Sequence, residues 1–238
     1  MTTVRPALDA AVRHTIALRT EALFRISGAF REGHFLLKSG RHADAYLEKF
    51  RVLQDPAATS ELCGLIAEHG RGRDLEPLVD LVAGPTTGGV ILAFETARQL
   101  GVRSIFAEEV RADDGTTHRE FRRGFQIGLG ERVLLVDDIL TTGGSLLTML
   151  PAVEAMGGEI VECVVLVDRS GAGRATLTSP LTGRVHPLRS LWQLDLPTYD
   201  PGPDSCPRCA DGTPLHAPGS TGTGAAGPGA SAPESLTR

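Results

Sequence analysis

Two adjacent carboxylates, Asp137 and Asp138, follow four apolar residues and precede three hydroxyls and two glycines in the string VLLVDDILTTGGS, residues 133–145. Hydroxyls and glycine-permitted backbone N–H groups at the start of a helix suit an anion, above all a phosphate group. Carboxylates would repel that phosphate, so they must be held away from it and turned toward hydrogen-bond donors or positive charge. Sugar hydroxyls, or Mg²⁺ coordinated to them, meet both demands. The ligand that fits is a ribose 5-phosphate unit, with Asp137 and Asp138 on the ribose hydroxyls and Thr141, Thr142, Gly143, Gly144 and Ser145 around the phosphate. The structural alternative is a strand-end acid pair that only caps a helix and turn.

The surrounding pattern supplies the elements that would position these groups. From Val79 onward, short apolar runs alternate with turns and amphipathic stretches: VDLVA, the turn GPTTGG, the helical VILAFETARQL, then RSIFAE, RVLLVDD, a helix from Ser145 to Met156, and IVECVVLVD. Continuous apolar strands alternating with helices require a parallel sheet covered on both faces. The expected fold is therefore α/β, a central parallel sheet with helices on both faces and a small N-terminal hood. If VLLVD is a parallel strand, its acids lie at the carboxyl end, where open α/β sheets place ligands.

Upstream, apolar residues at helical spacing predict a helix from about Ala7 to Ser27, and GHFLLKSGRHADAYLEKFRVLQDP reads as a hairpin or irregular strands before a helix over Pro56 to Glu68. The polar stretch from Glu108 to Glu120, EEVRADDGTTHRE, is expected to be a mobile loop. Residues 1–78 are read as N-terminal helix and hood, 79–216 as the core, and 217–238, almost wholly Gly, Ala, Pro, Ser and Thr, as a disordered tail.

A formal net charge of −5 over 238 residues, with pI near 5.8, gives no global reason to bind nucleic acid or an anionic membrane. The N-terminal stretch lacks an uninterrupted apolar core, and a cytoplasmic location is expected. Cys63 and Cys163 read as buried thiols. Cys206 and Cys209, in CPRC, could be half of a zinc site, but only His216 lies close in sequence and zinc takes four ligands, so a structural tight turn is expected. No Walker A Gly-Lys-Ser/Thr follows the strand, and no GxGxxG occurs at these turns.

The string from Val133 to Ser145 resembles the ribose-phosphate signature of type I phosphoribosyltransferases, which use 5-phosphoribosyl 1-diphosphate. Three further stretches are similar to orotate phosphoribosyltransferases. GHFLLKSGRHADAYLEKFRVL matches the segment whose Lys-Ser-Gly turn and tyrosine-bearing strand help cover pyrimidine and diphosphate; LVAGPTTGGVILA matches the diphosphate loop; LVDRSGAG matches a post-strand arginine. The ending CPRCADGTPL resembles a bacterial subgroup, and the main likeness runs from Gly28 to Gly173.

The resemblance implies Mg²⁺-dependent transfer of the phosphoribosyl group to orotate, giving orotidine 5′-monophosphate and diphosphate in de novo pyrimidine (UMP) biosynthesis. It implies Mg²⁺ held mainly through substrate rather than by a protein metal site, and a homodimer whose active-site loop is shared between subunits. It assigns phosphoribosyl diphosphate to Lys38, Thr86, Thr87, Asp137, Asp138, Ile139, Leu140 and the run Thr141 to Ser145. Orotate falls to Thr141 and Arg169, and catalytic roles to His118, Arg119 and Asp138. A guanidinium at Arg169 suits orotate because it forks onto a carboxylate with two parallel hydrogen bonds. The family's loop is rich in lysine, whereas Glu108 and Glu109 open it here; Arg111, His118, Arg119, Arg122 and Arg123 offer compensating charge. Two alternatives keep the phosphate loop: a purine phosphoribosyltransferase, and a regulator that senses phosphoribosyl diphosphate.

Overall fold

Asp9 and Asp55 each start a helix by accepting hydrogen bonds from backbone N–H groups that a first turn leaves free: Asp9 from Ala11 at 3.0 Å, Asp55 from Ala57 at 2.9 Å and Ala58 at 3.2 Å. The computed structural model describes residues 9–72, 74–171 and 173–218. Its elements are α1 (Ala10–Ile26), β1 (Phe30–Leu36), β2 (His42–Leu47), α2 (Lys49–Leu53), α3 (Pro56–Ala67), a 3₁₀ turn (Glu68–Gly70), β3 (Leu81–Pro85), α4 (Gly88–Leu100), β4 (Arg103–Arg111), β5 (Thr117–Glu120), β6 (Arg132–Leu140), α5 (Gly144–Ala155), β7 (Glu159–Asp168), β8 (Thr176–Thr178), β9 (Val185–Gln193), β10 (Thr198–Tyr199) and α6 (Pro207–Ala210). The chain divides into two units, one of residues 9–32 and 45–197, the other of 33–44 and 198–218 among those described.

The first unit is built on a seven-stranded sheet in the order β5-β4-β3-β6-β7-β9-β8. The inner five strands are parallel, and β5 and β8 add antiparallel edges. The expected α/β class is what the chain adopts, and the reason is visible along β6. Leu134 and Val136 face a core with Phe24, Leu62, Ile66 and Leu92, while Val133 and Leu135 face a second core with Met149, Leu150 and Val165. Both faces of the strand are covered, so it reads as an unbroken apolar run and still obeys the two-residue alternation.

Three expectations need correction. The division at residue 78 does not coincide with a unit boundary, because Leu62, Cys63 and Ile66 of α3 share one core with Leu92 and Ala93 of α4. The stretch from Glu108 to Glu120 is a paired hairpin: Glu108 opposes Glu120, Val110 opposes His118 and Arg111 opposes Thr117. Its alternating sequence suits an edge ribbon, and the turn is closed by Asp114, which accepts from the Thr116 N–H at 2.9 Å, with Gly115 at φ +86°. The hood sheet is not N-terminal alone; in the order β1-β2-β10 its third strand comes from Thr198 and Tyr199, which pair with Ala43 and His42. From residue 219 the expected tail lies outside the described residues, as does the predicted start of the first helix before Asp9.

The turn from β3 into α4 admits little but glycine. A Cβ on Gly84 would lie 2.2 Å from the Gly89 carbonyl oxygen, whereas one on Gly101, which ends α4 at φ +70°, would meet nothing within 4 Å. Gly84→Ala should therefore cost about 3 kcal/mol, since backbone must move. Gly101→Ala should cost about 1 kcal/mol, from φ alone. Urea denaturation of both variants measures the difference.

Candidate active site

A cleft of 340 Å³ opens at the carboxyl end of β6. It is lined by the turn that the sequence singled out, Leu140 to Ser145, together with Asp137, Ile139, Thr148, Glu109, Thr117 and Arg119. Gly143 takes φ +86° as it enters α5, a conformation that glycine adopts without strain. The N-cap residue Gly143 offers no side chain, the Gly144 N–H reaches only Thr142 Oγ1 at 3.4 Å, and Thr141, Thr142, Gly144 and Ser145 are exposed at the dipole's positive end. Arg174 Nη1 donates to the Thr142 carbonyl at 3.1 Å. This places a cation beside the loop that the sequence reading missed, because no spacing rule links residues so far apart.

Strand alternation separates the two acids. Asp138 follows the parity of Leu134 and Val136 toward α2, where its oxygens meet Lys49 Nζ at 2.7 and 2.9 Å. It also excludes any side chain at Gly88, where a Cβ would stand 2.0 Å from Asp138 Oδ2. Asp137 lies on the other parity, lining the cleft, and its Oδ1 accepts from the Asp138 N–H at 2.8 Å. Burial first, and the Asp138 charge second, push the Asp137 carboxyl up to about 7, although Lys49 and Arg119 pull the other way. Asp137 can therefore hold or release a proton near neutrality in the cleft. Lys49 carries no motif in the sequence; only its place on α2 reveals it.

The other candidates divide by strand face and by unit. Arg119 is buried, with Nη1 3.0 Å from Thr86 Oγ1 and Nη2 3.5 Å from Glu109. One residue away, His118 projects from the opposite face of β5 into solvent, paired with Glu120 at 2.8 Å. Thr87 is exposed at the start of α4. Arg169 follows β7, its N–H bonded to the Leu140 carbonyl at 2.8 Å, so it sits beside the base of the phosphate turn. Burial lowers its guanidinium from the ordinary value and Tyr46 opposes that shift; among the described residues nothing accepts from its buried Nε. Lys38 lies in the second unit, exposed at the turn closed by the Leu37 N–H donating to the Arg41 carbonyl at 2.8 Å.

The raised Asp137 carboxyl ties stability to pH. A carboxyl that titrates at about 7 when folded, against 3.8 ordinarily, binds extra protons in the folded state between those values. Its stabilising contribution is complete below the lower value and is lost as pH rises through about 7. Asp137→Asn should match wild type near pH 4 and be the more stable of the two near pH 8, read from urea melts at the two pH values.

The phosphoribosyl transferase domain matches residues 51–184. A protein of Caldicellulosiruptor saccharolyticus named orotate phosphoribosyltransferase is 42% identical over 198 residues, which cover 83% of this chain and 94% of that one. Another so named, from Chlorobaculum parvum, is 39% identical over 201 residues, 84% of this chain and 94% of its own. The crystal structure of orotate phosphoribosyltransferase from Aeropyrum pernix superposes with a TM-score of 0.58 at 30% identity, covering 73% of this chain and 92% of that one. The adenine phosphoribosyltransferase of Rhodothermus marinus, at 22% identity and TM-score 0.54 over 75% of this chain and 99% of its own, shares the fold. At this identity over most of both chains, the chain belongs to the orotate phosphoribosyltransferase family.

Proposed function

We propose that this chain transfers the phosphoribosyl group of 5-phosphoribosyl 1-diphosphate to orotate, forming orotidine 5′-monophosphate and diphosphate in pyrimidine biosynthesis. The observation that carries the choice of acceptor is Arg169. Its buried Nε has no partner among the described residues, and its charge is disfavoured by burial. An anionic, planar partner answers both, and the carboxylate of orotate is one; a neutral purine has none.

In this reading the Thr141 to Ser145 turn grips the 5-phosphate through N–H groups and hydroxyls, and Asp137 accepts from the ribose hydroxyls. The bond from ribose C1 to the diphosphate oxygen breaks with the electron pair leaving on oxygen, and orotate N1 supplies the new pair to C1. Arg119, held by Thr86 at 3.0 Å, faces the growing negative charge. The residues act mainly by alignment and by excluding water. Mg²⁺ is the cofactor, and the buried Asp137 carboxyl that lines the cleft, raised first by burial and then by the Asp138 charge, fits a dication bound through the ribose diol. When bound it neutralises the departing diphosphate.

The chain works in the cytoplasm as a homodimer. His118, turned outward on β5, is the group it offers to the neighbouring subunit's site, while Arg119 serves its own. Among the described residues, no helix is long and apolar enough to cross a membrane.

Loss of orotate absorbance with Mg²⁺ and phosphoribosyl diphosphate, run beside hypoxanthine, adenine, xanthine and uracil, tests the reading; turnover of a purine without orotate would replace it. Arg169→Gln should lower kcat/KM for orotate by about 10- to 100-fold, mostly through KM, because charged hydrogen bonds are worth about 1.5–3 kcal/mol. Mixing His118→Ala with Arg169→Ala subunits should recover activity that neither variant has alone, since one of two shared sites is then intact. Mixed subunits no more active than either parent would sink the shared loop.

A further inference from the structure

Outside the cleft, the second unit gathers four residues that the transfer reaction does not use. His34 on β1, His42 on β2, and Cys206 and Cys209 at the two ends of the first turn of α6 bring their ligand atoms within 4.8 Å of one another. The sulfur of Cys209 lies 3.3 Å from His42 Nδ1 and 3.6 Å from His34 Nε2, and the sulfur of Cys206 lies 3.5 Å from His34 Nε2. Two ligands on one tetrahedral zinc, with bonds of about 2.3 Å to sulfur and about 2.0 Å to nitrogen, stand about 3.5 Å apart. The two imidazole nitrogens are closer, at 2.8 Å, and a small ring rotation separates them.

The tautomer of His34 is set for the same purpose. Its Nδ1 is 2.8 Å from the Thr213 carbonyl, which can only accept, so Nδ1 carries the hydrogen and the Nε2 lone pair points into the cluster. Metal-binding histidines are held in just this way by an outer carbonyl. His34, His42 and Cys206 are buried, and Cys206 and Cys209 are free thiols. In the described part of this unit the buried apolar residues are only Phe35, Ala43 and Cys206. So small a core does not hold strands from residues 33–44 against a segment from 198–218, and a metal staple is the usual remedy.

We propose that His34, His42, Cys206 and Cys209 form a structural zinc site. Two thiolates and two imidazoles select zinc among common ions, and four protein ligands leave no open position for substrate or water. The sequence pointed to His216 as the nearest partner of CPRC; the fold brings His34 and His42 there instead, from more than 160 positions upstream.

Purified full-length protein, reduced and incubated with Zn²⁺, should retain about one zinc per chain after desalting, measured by mass spectrometry of the metal. Co²⁺ in its place should give the near-ultraviolet thiolate charge-transfer band and intense visible bands of a tetrahedral ion, and X-ray absorption at the zinc edge should fit two sulfurs and two nitrogens. Cys206→Ser and His42→Ala should each lower retained zinc by about tenfold or more, whereas Cys209→His, which keeps a ligand, should retain it. Wild-type zinc removed by chelator should lower the melting temperature, and zinc should restore it. A folded wild-type protein that keeps no zinc, a six-coordinate cobalt spectrum, tight retention of a different metal instead, or a Cys206–Cys209 disulfide persisting under reductant would each overturn the site. None of these readouts depends on phosphoribosyl transfer, so the two proposals fail separately.

Discussion

The placement of charge at the tip of β6 governs the first unit's chemistry. Two carboxylates are carried to the end of a strand whose preceding residues are buried on both faces, and neither acid can retreat into bulk water. The chain resolves the repulsion by alternation. Asp138 is turned to Lys49, which neutralises it at 2.7 Å, and Asp137 is left lining the cleft with its carboxyl raised. The arrangement costs folding free energy at neutral pH, and it keeps a hydrogen-bonding group in the cleft.

The surroundings of that strand end follow from the same demand for close approach. Gly88 lets Asp138 reach Lys49 without a Cβ in the way, Gly84 and Gly89 let β3 turn sharply into α4, and Gly143 lets the backbone swing from β6 into α5. Each glycine serves a specific contact or a positive φ rather than general looseness. Arg119 brings positive charge from the edge strand β5, and Arg169 from just after β7, the neighbour of β6, both through partly or fully buried side chains. The low exposure of Arg119 makes it sensitive to what enters the cleft, because a buried guanidinium gains more from an anion than a solvated one does.

The second unit solves a different problem. Its strands are short and its apolar content is small, so hydrogen bonds alone organise much of what is described, among them those from Arg41 to Thr198 at 2.7 and 2.9 Å. A cross-link between distant segments of the chain is the physical answer to a core too small to exclude water.

The sequence by itself determined the alternation of buried strands and helices, and with it the α/β class, because a strand covered on both faces must be apolar throughout. It also marked the turn from Thr141 to Ser145, since hydroxyls and glycines on a helix start are a local pattern. It misread residues 108–120 as a loop: a polar edge ribbon lacks the apolar signal that marks inner strands, although its β-capable alternation and Asp-Gly turn were present. Only the tertiary structure decided that Asp138 belongs to Lys49, that Arg119 rather than His118 lines the cleft, and that CPRC meets two histidines from the other end of the chain. Those pairings join residues dozens to more than a hundred positions apart, and no local propensity encodes them; they exist because packing brings faces together.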